Sequence, residues 1–461
     1  MKNTLLLDDE LIARYDQSGP RYTSYPTALQ FADDFTLDDY KAAAERSNVG
    51  TKPLSLYFHI PFCDTLCFYC ACNKIATKDR SKADEYLIRL HKEIEMQAAL
   101  FDSSRPVEQL HWGGGTPTFL NIDQMRELMA VTGRHFNLLD NDRGEYSIEI
   151  DPREVGKDAV DALREIGFNR MSIGLQDLDI KVQKAVNRIQ SAEETFGVLK
   201  HARDAGFRSV SLDLIYGLPH QTLDSFSKTL DRVIEESPDR LSVFNYAHMP
   251  TRFMPQRRIN EEDLPAPSEK LDILHMVGEK LSAAGYTYIG MDHFAKPDDE
   301  IAKAQEEGNL YRNFQGYSTH AHCDLISIGV TSIGIVDNVY SQNVRTTEDY
   351  YEAIDNGRLP VMRGVELNRD DELRRELITQ LICNFQLDKK AFAEKWDIDF
   401  DEYFAESLPR LAPMIEDELV EISDSHIQVM PAGRLLIRNV CMVFDAYLKH
   451  DDAEKRYSRV I

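Results

Sequence analysis

Basic residues are scarce in this sequence: 53 Lys and Arg stand against 78 Asp and Glu, a net charge of −25. A surface of that sign repels phosphate backbones and anionic lipid, which counts against nucleic acid and membrane surfaces as partners. Long apolar runs are missing too. Nothing approaches the ~18 consecutive apolar residues of a membrane helix, and the opening residues, with Asp8-Asp9-Glu10, hold no apolar export segment. Cysteine is rare and unevenly placed, with seven residues in 461. Few thiols and no export signal point to a cytoplasmic protein with reduced cysteines. Hydrophobic residues are plentiful at 43%, enough for a large core, and the length suits about three domains or one barrel with attachments.

Four of the seven cysteines fall in Cys63-Asp64-Thr65-Leu66-Cys67-Phe68-Tyr69-Cys70-Ala71-Cys72, directly after an extended apolar run, residues 54–60. Thiolates gathered this tightly on a loop select zinc, Cu(I) or an iron–sulfur cluster. A zinc site ordinarily pairs two short C-x-x-C knuckles across a longer insert, and no second knuckle exists here. The ferredoxin spacing of C-x-x-C-x-x-C with a remote fourth cysteine also fails. The C-x-x-x-C-x-x-C core resembles instead that of radical S-adenosylmethionine (SAM) enzymes. The outlying Cys323, Cys383 and Cys441 read as small buried hydrophobes.

Residues 1–50 hold no long periodic element, but include Gly19-Pro20-Arg21-Tyr22-Thr23-Ser24-Tyr25-Pro26-Thr27-Ala28, a poor helix and a good ordered arm. It reads either as a leader wrapped over the barrel or as a lid, with Arg21 available to a carboxylate. From residue 54, short β-rich runs alternate with amphipathic helices. Strands are expected at 55–60, 108–112, 146–150, 170–175, 210–215 and 241–246, and helices at 83–100, 122–136, 157–166, 192–205 and 223–236. Gly167, Gly206 and Gly285 mark helix ends. A further helix at 268–284 and strand at 286–291 follow. The rhythm predicts an α/β fold, an incomplete (β/α)6 barrel with an N-terminal arm and a mainly helical C-terminal domain. The expected division is 1–50 arm, 51–345 barrel with its substrate-side connection, and 346–461 helical domain. There, helices are expected at 370–383, 399–415 and 433–447, with a winged-helix-like strand pair at 419–422 and 427–430.

In such barrels chemistry gathers at the C-terminal ends of the strands. All six expected strands end in polar groups: the cysteine loop, Gly113-Gly114-Gly115-Thr116, Glu149 with Asp151, Gln176-Asp177, Asp213, and Asn245 with His248. Glu149 and Asp213 are single acids flanked by Ile148, Ile150, Leu212 and Leu214. Strands covered outside by helices would turn these carboxylates inward, where they must be paired or serve a ligand. Gln176, Arg188 and Asp213 could bind a second ligand in the same cavity. On the first strand Ser55, Tyr57 and His59 share one face. His59 reads equally well as a core histidine and as a contact to cluster or substrate.

The chain resembles the bacterial oxygen-independent coproporphyrinogen III oxidases along essentially its full length. The resemblance rests on the arm Arg21–Ala28, His59-Ile60-Pro61-Phe62-Cys63, His111-Trp112-Gly113-Gly114-Gly115-Thr116-Pro117-Thr118, Asp213-Leu214-Ile215-Tyr216-Gly217-Leu218-Pro219 and Asn313-Phe314-Gln315-Gly316-Tyr317. It implies a 4Fe–4S cluster on Cys63, Cys67 and Cys70, with Cys72 nearby. It implies two SAM molecules, one met by Tyr57, Tyr69, Gly114, Glu149 and Ile333, the other by Gly115, Thr116, Gln176, Arg188, Asp213 and Ala247. Tyr57, His59, Phe314 and Gln315 are implied at the catalytic or substrate site. The implied reaction turns two propionates of coproporphyrinogen III into vinyls, with electrons from a donor such as flavodoxin or ferredoxin, in a monomer. The alternative is a haem-binding chaperone on the same core. The stretch Ser318-Thr319-His320-Ala321-His322-Cys323-Asp324 departs from the pattern and reads as loop variation, not a metal site.

Overall fold

A computed structural model describes residues 6–448, Tyr457 and Arg459. Grouped by contacts, the chain forms two compact units, each assembled from separate stretches. One comprises 31–266 with 322–366; the other comprises the residues up to 30, 267–321 and those from 367 onward. The sequence reading divided the chain consecutively instead, at 50/51 and 345/346.

The first unit is the repeated βα pattern. Its strands and helices are β1 Leu54–Ile60, α1 Ser81–Ala98, β2 Pro106–Gly114, α2 Ile122–His135, β3 Glu145–Ile150, α3 Lys157–Glu165, β4 Arg170–Gln176, α4 Ala192–Asp204, β5 Ser209–Tyr216, α5 Leu223–Glu236 and β6 Arg240–Asn245. The six strands pair in parallel, each with the next in sequence. Side chains alternate as the pleat demands. Leu56, Phe58 and Ile60 are fully buried on one face of β1, while Tyr57 stacks on His111 from the other. Trp112 is also fully buried and packs edge-on against Phe58 and Phe168. Helix starts follow the sequence signals: Asn121/Gln124, Ser191/Glu194 and Thr222/Ser225 close reciprocal capping boxes on α2, α4 and α5. Gly167 and Gly206, just past two of the helices, take the positive φ expected of such stops.

Three features depart from the sequence reading. Residues 37–47 form an 11-residue helix capped by Thr36 and Asp39, where no long periodic element is expected. The capping box was the available signal; the helix is short and one-sided. The long connection after the barrel contains β7 Asp324–Ile328, which pairs in parallel with the far side of β1, then an antiparallel run β8 Ile333–Val336, β9 Val339–Asn343 and β10 Val361–Glu366. Two of the three expected C-terminal helices are shorter than expected. The span 399–415 breaks into Phe400–Tyr403, a 3-10 turn Leu408–Leu411 and Ala412–Glu416, because Pro409 and Pro413 lack the donors a continuous helix needs. The final helix is only Ile437–Val443.

The second unit holds helix Arg369–Asn384, a three-stranded sheet with His426–Val429 between Gln386–Asp388 and Val420–Ile422, and the hairpin Tyr311–Asn313/Gly316–Ser318. The expected strand pair is therefore present, with a third strand added. The N-terminal arm is tied to the C-terminal segment. Buried Arg438 donates to the Gly19 and Pro20 carbonyls, Asn439 to Tyr15, and Tyr22 to the Asp445 carboxylate.

β7 is fixed in register by a buried ion pair. Asp324, its first residue, accepts from Arg105, from Ser47 of helix 37–47 and from the Asp337 N–H, and the Arg105 and Asp324 side chains are 3% and 4% exposed. Removing one member of such a pair strands the other charge. Asp324→Asn is expected to cost about 3–5 kcal/mol in urea unfolding, with the loss insensitive to salt because the pair is shielded from solvent.

Candidate active site

The site is built where β1 and β2 end. The β1 tail passes through Pro61 into the cysteine loop, and the glycine turn of β2 lies against it. Gly115 N donates to the Ile60 carbonyl and Thr116 N to that of Phe62. No side chain fits between them. A Cβ on Gly115 would stand 2.7 Å from the Phe62 oxygen, and one on Gly114, at φ +112°, would stand 2.7 Å from the His59 ring. The three glycines are thus an approach requirement, not merely a turn.

The cysteine loop is held from below by the segment after β4. Phe68 N donates to the Val186 carbonyl and the Asn187 amide to that of Leu66. Tyr69 and Phe68 pack against a buried apolar cluster of Val182, Val186, Leu218, Tyr246 and Ile259. Cys63 and Cys67 are buried, Cys70 is half-buried and Cys72 lies at the surface of the loop. Burial pushes the Cys63 thiol up to about 12 despite the Thr116 hydroxyl it accepts from. Cys70 is drawn down, by the Cys72 S–H donated to it and by the Lys74 ammonium, whose Nζ also caps the Cys70 and Cys72 carbonyls. Cys67 Sγ accepts from Arg188 at 3.6 Å.

The lumen side is polar and ordered. His59 Nε2 lies 3.1 Å from the Asn73 carbonyl and so carries the proton, leaving Nδ1 to accept from the Tyr57 hydroxyl at 3.1 Å. Burial holds His59 below its ordinary pKa, so it is neutral. His111 bridges Ser147 and Glu149, at 3.2 Å from the latter. Burial works against ionisation of Glu149, but the His111 hydrogen bond and the Gly114 N–H outweigh it and hold the carboxyl below its usual range. Asp151 is likewise kept ionised against burial, by Arg153 and Arg188. Deeper along β5, burial pushes Asp213 up to about 6, with Ser242 and Ser172 donating to it.

Tyr57, His59, Gly114 and Glu149 are therefore in one connected group. Gly115 and Thr116 bind the cysteine loop directly. Gln176, at φ +67° where the ladder of β4 slips, and Arg188 both stand against Gly174. Ala247 lies just beyond β6 and Ile333 opens β8. Phe314 and Gln315 are the two-residue turn of the hairpin in the other unit, where the buried Gln315 Oε1 makes no hydrogen bond. In that unit Arg21 is neutralised by Asp292, while Arg312, 7% exposed, leaves Nε and Nη1 without hydrogen-bond partners over the Tyr317 ring. Sequence reasoning named Asp151 as a polar strand end but not its pairing with Arg153 and Arg188, and gave no role to His111 or Arg153. Position held the signal: His111 precedes the glycines by two residues, and Asp151 follows Glu149 by two, on the same faces.

The donors fit an iron–sulfur cluster. Soft sulfur donors stand together on one loop, with O–H and N–H groups aimed at Cys63 and Cys67. The radical SAM superfamily profile matches residues 57–233, and the HemN C-terminal domain profile matches 367–436. An oxygen-independent coproporphyrinogen III oxidase of Pseudomonas aeruginosa is 54% identical over 100% of both chains. The Escherichia coli protein of that name is 52% identical over 98% of each. The chain belongs to the oxygen-independent coproporphyrinogen III oxidase family. Its structure matches that of the E. coli coproporphyrinogen III oxidase, titled a radical SAM enzyme, with TM-score 0.92 at 50% identity, over 96% of this chain and 100% of that one. Membership of this radical SAM family implies a 4Fe–4S cluster and SAM.

The glycine contact supplies a test. Gly114→Ala combines positive-φ strain of roughly 1–3 kcal/mol with collision against His59. It is expected to lower the melting temperature and to break the His59–Asn73 hydrogen bond, seen as a change of imidazole tautomer by 15N NMR.

Proposed function

We propose that this protein decarboxylates two propionate side chains of coproporphyrinogen III to vinyls, giving protoporphyrinogen IX in oxygen-independent haem biosynthesis in the cytoplasm. The observation that carries this reading is kinship over the whole chain, arm and C-terminal domain included; kinship confined to the barrel would have left the haem-binding alternative open. In this reading residues 1–50 form an arm or lid, 51–345 the catalytic barrel with its substrate-side connection and 346–461 a helical C-terminal domain with a winged-helix-like hairpin. The protein acts as a monomer served by an external one-electron donor such as flavodoxin or ferredoxin.

Cys63, Cys67 and Cys70 hold the 4Fe–4S cluster. When bound, the cluster and SAM supply an electron and a carbon-centred radical able to take hydrogen from a propionate. The chain's own residues bind, orient and shield. Glu149, kept ionised by His111, and Gly114 would hold the first SAM, with Tyr57, Tyr69 and Ile333 lining the same ligand. Gly115, Thr116, Gln176, Arg188, Asp213 and Ala247 receive a second SAM. Arg188 and Arg153 set positive charge beside Cys67, where it would offset the negative charge of a bound cluster. His59, neutral and pinned by Asn73, fixes the Tyr57 hydroxyl instead of exchanging protons near neutral pH. Phe314 and Gln315 meet the porphyrinogen, and the unpaired edge of Arg312 receives one of its carboxylates.

Anaerobic incubation of reconstituted protein with dithionite, SAM and coproporphyrinogen III is expected to give a product lighter by two CO₂, while Arg312→Gln raises KM more than it lowers kcat. Intact substrate with tightly held haem would overturn the assignment.

A second expectation concerns pH. A carboxyl with a pKa of about 6 is charged above that pH and neutral below it. Retention of the second SAM should therefore strengthen as pH rises through 6 and be roughly tenfold weaker at pH 5. Equilibrium dialysis with labelled SAM reads this directly, and Asp213→Asn should flatten the profile.

A further inference from the structure

At the opposite end of the barrel from the cysteine loop, a second group of metal-ligand side chains converges. Glu108, His322 and Cys323 present a carboxylate oxygen, an imidazole nitrogen and a thiol whose ligand atoms all lie within 4.8 Å of one another. The fold assembles them deliberately. Along β1 the register pairs Leu54 with Val107 and Ser55 with Gln109, so Glu108 is the extra residue of a β-bulge. A bulge sets two successive side chains on one side of the sheet and re-aims the first. Gln109 is committed to Ser55 and Glu145, while Glu108 reaches His322 at 2.7 Å. Cys323 is half-buried immediately before β7, the strand that Asp324 and Arg105 lock in place. The loop that reads as mere variation in sequence therefore gains a third donor, Glu108, that no local spacing announces. His320 is not part of the group; its Nδ1 stands beside Thr319.

We propose that Glu108, His322 and Cys323 form a site for one Zn²⁺-like transition-metal dication, distinct from the iron–sulfur centre. One thiolate, one imidazole and one carboxylate suit a borderline-soft ion and not Mg²⁺ or Ca²⁺, with a water to complete the tetrahedron. Ordinary zinc–ligand lengths of ~2.0–2.3 Å place ligand atoms ~3.3–3.6 Å apart, so the group closes on an ion by rotamer shifts of about an ångström. The field at the sulfur favours a cation: Glu108, Asp324 and Glu145 face it, opposed by Arg105 alone among the groups that act on it most. On binding, Cys323 gives one proton to solvent and ligates as thiolate. The ion would bridge β2 and β7, the two strands flanking β1, about 20 Å along β2 from Gly114 at ~3.3 Å per residue. Its role is a clip on the barrel's closed rim, not a part of catalysis.

The test uses the anaerobically reconstituted holoenzyme given one equivalent of Zn²⁺ and desalted, with iron and zinc counted by mass spectrometry and ligands read at the zinc K-edge. The expected result is one zinc in addition to the full iron content, with a single sulfur neighbour at ~2.3 Å and nitrogen or oxygen at ~2.0 Å, together with a raised melting temperature. His322→Gln and Cys323→Ser should each weaken zinc binding by at least the roughly 10–100-fold that losing a mere supporting partner costs, with iron content unchanged. His322 is the more exposed residue, so its variant keeps the test decisive should Cys323→Ser fold poorly. Failure to retain zinc, three sulfur neighbours (ion in the cysteine loop), or undiminished affinity in His322→Gln would overturn the proposal. None of these readouts depends on decarboxylation.

Discussion

The contact on which the site depends is backbone against backbone: the glycine turn after β2 laid directly on the tail of β1. Two amide hydrogen bonds, Gly115 to Ile60 and Thr116 to Phe62, fix where the cysteine loop begins. Because both strands are anchored by fully buried faces, including Phe58 and Trp112, the loop inherits the rigidity of the sheet. Cys63 then lies under Thr116, and His59 lies against Gly114 with no room to spare. The polar lumen is arranged around that fixed point, with His111 reaching Glu149 on one side and Arg188 joining Cys67 to Asp151 on the other.

Electrostatically, the site inverts the character of the chain. A protein of net charge −25 brings Arg153 and Arg188 to the same buried carboxylate beside Cys67. Buried charges persist only when paired, and here each pairing does a second task. Asp151 keeps two guanidinium groups near Cys67, and His111 keeps Glu149 ionised in a place where burial alone would neutralise it.

Much of this was readable in the sequence because the barrel is locally encoded. Each βα repeat carries its own apolar alternation, capping box and stop, so the six strands, their order and the polar residues at their ends follow from short windows. The cysteine spacing and the glycine triplet are equally local. What was not readable depends on distant partners. β7 is a strand because it pairs with β1, nearly the whole barrel away in sequence, and nothing in 324–328 announces parallel pairing. Asp151 is legible as a polar strand end, but its pairing with Arg188, which arrives from beyond β4, is not. Pro409 and Pro413 stand inside the expected 399–415 helix and break it where its apolar pattern alone would carry it on.

The arm raises a matter of timing. Gly19 and its partner Arg438 are 419 residues apart, and Tyr22 and Asp445 are separated by 423. At a synthesis rate of roughly 5–20 residues per second, the arm is made some 20–80 s before anything exists for it to grip. The βα repeats can close one after another as they emerge, whereas the arm, with its buried-to-be tyrosines, waits solvent-exposed throughout. An early-made segment is thus among the last to reach its native place, and the nascent chain carries it unsealed until Arg438 and Asp445 have emerged.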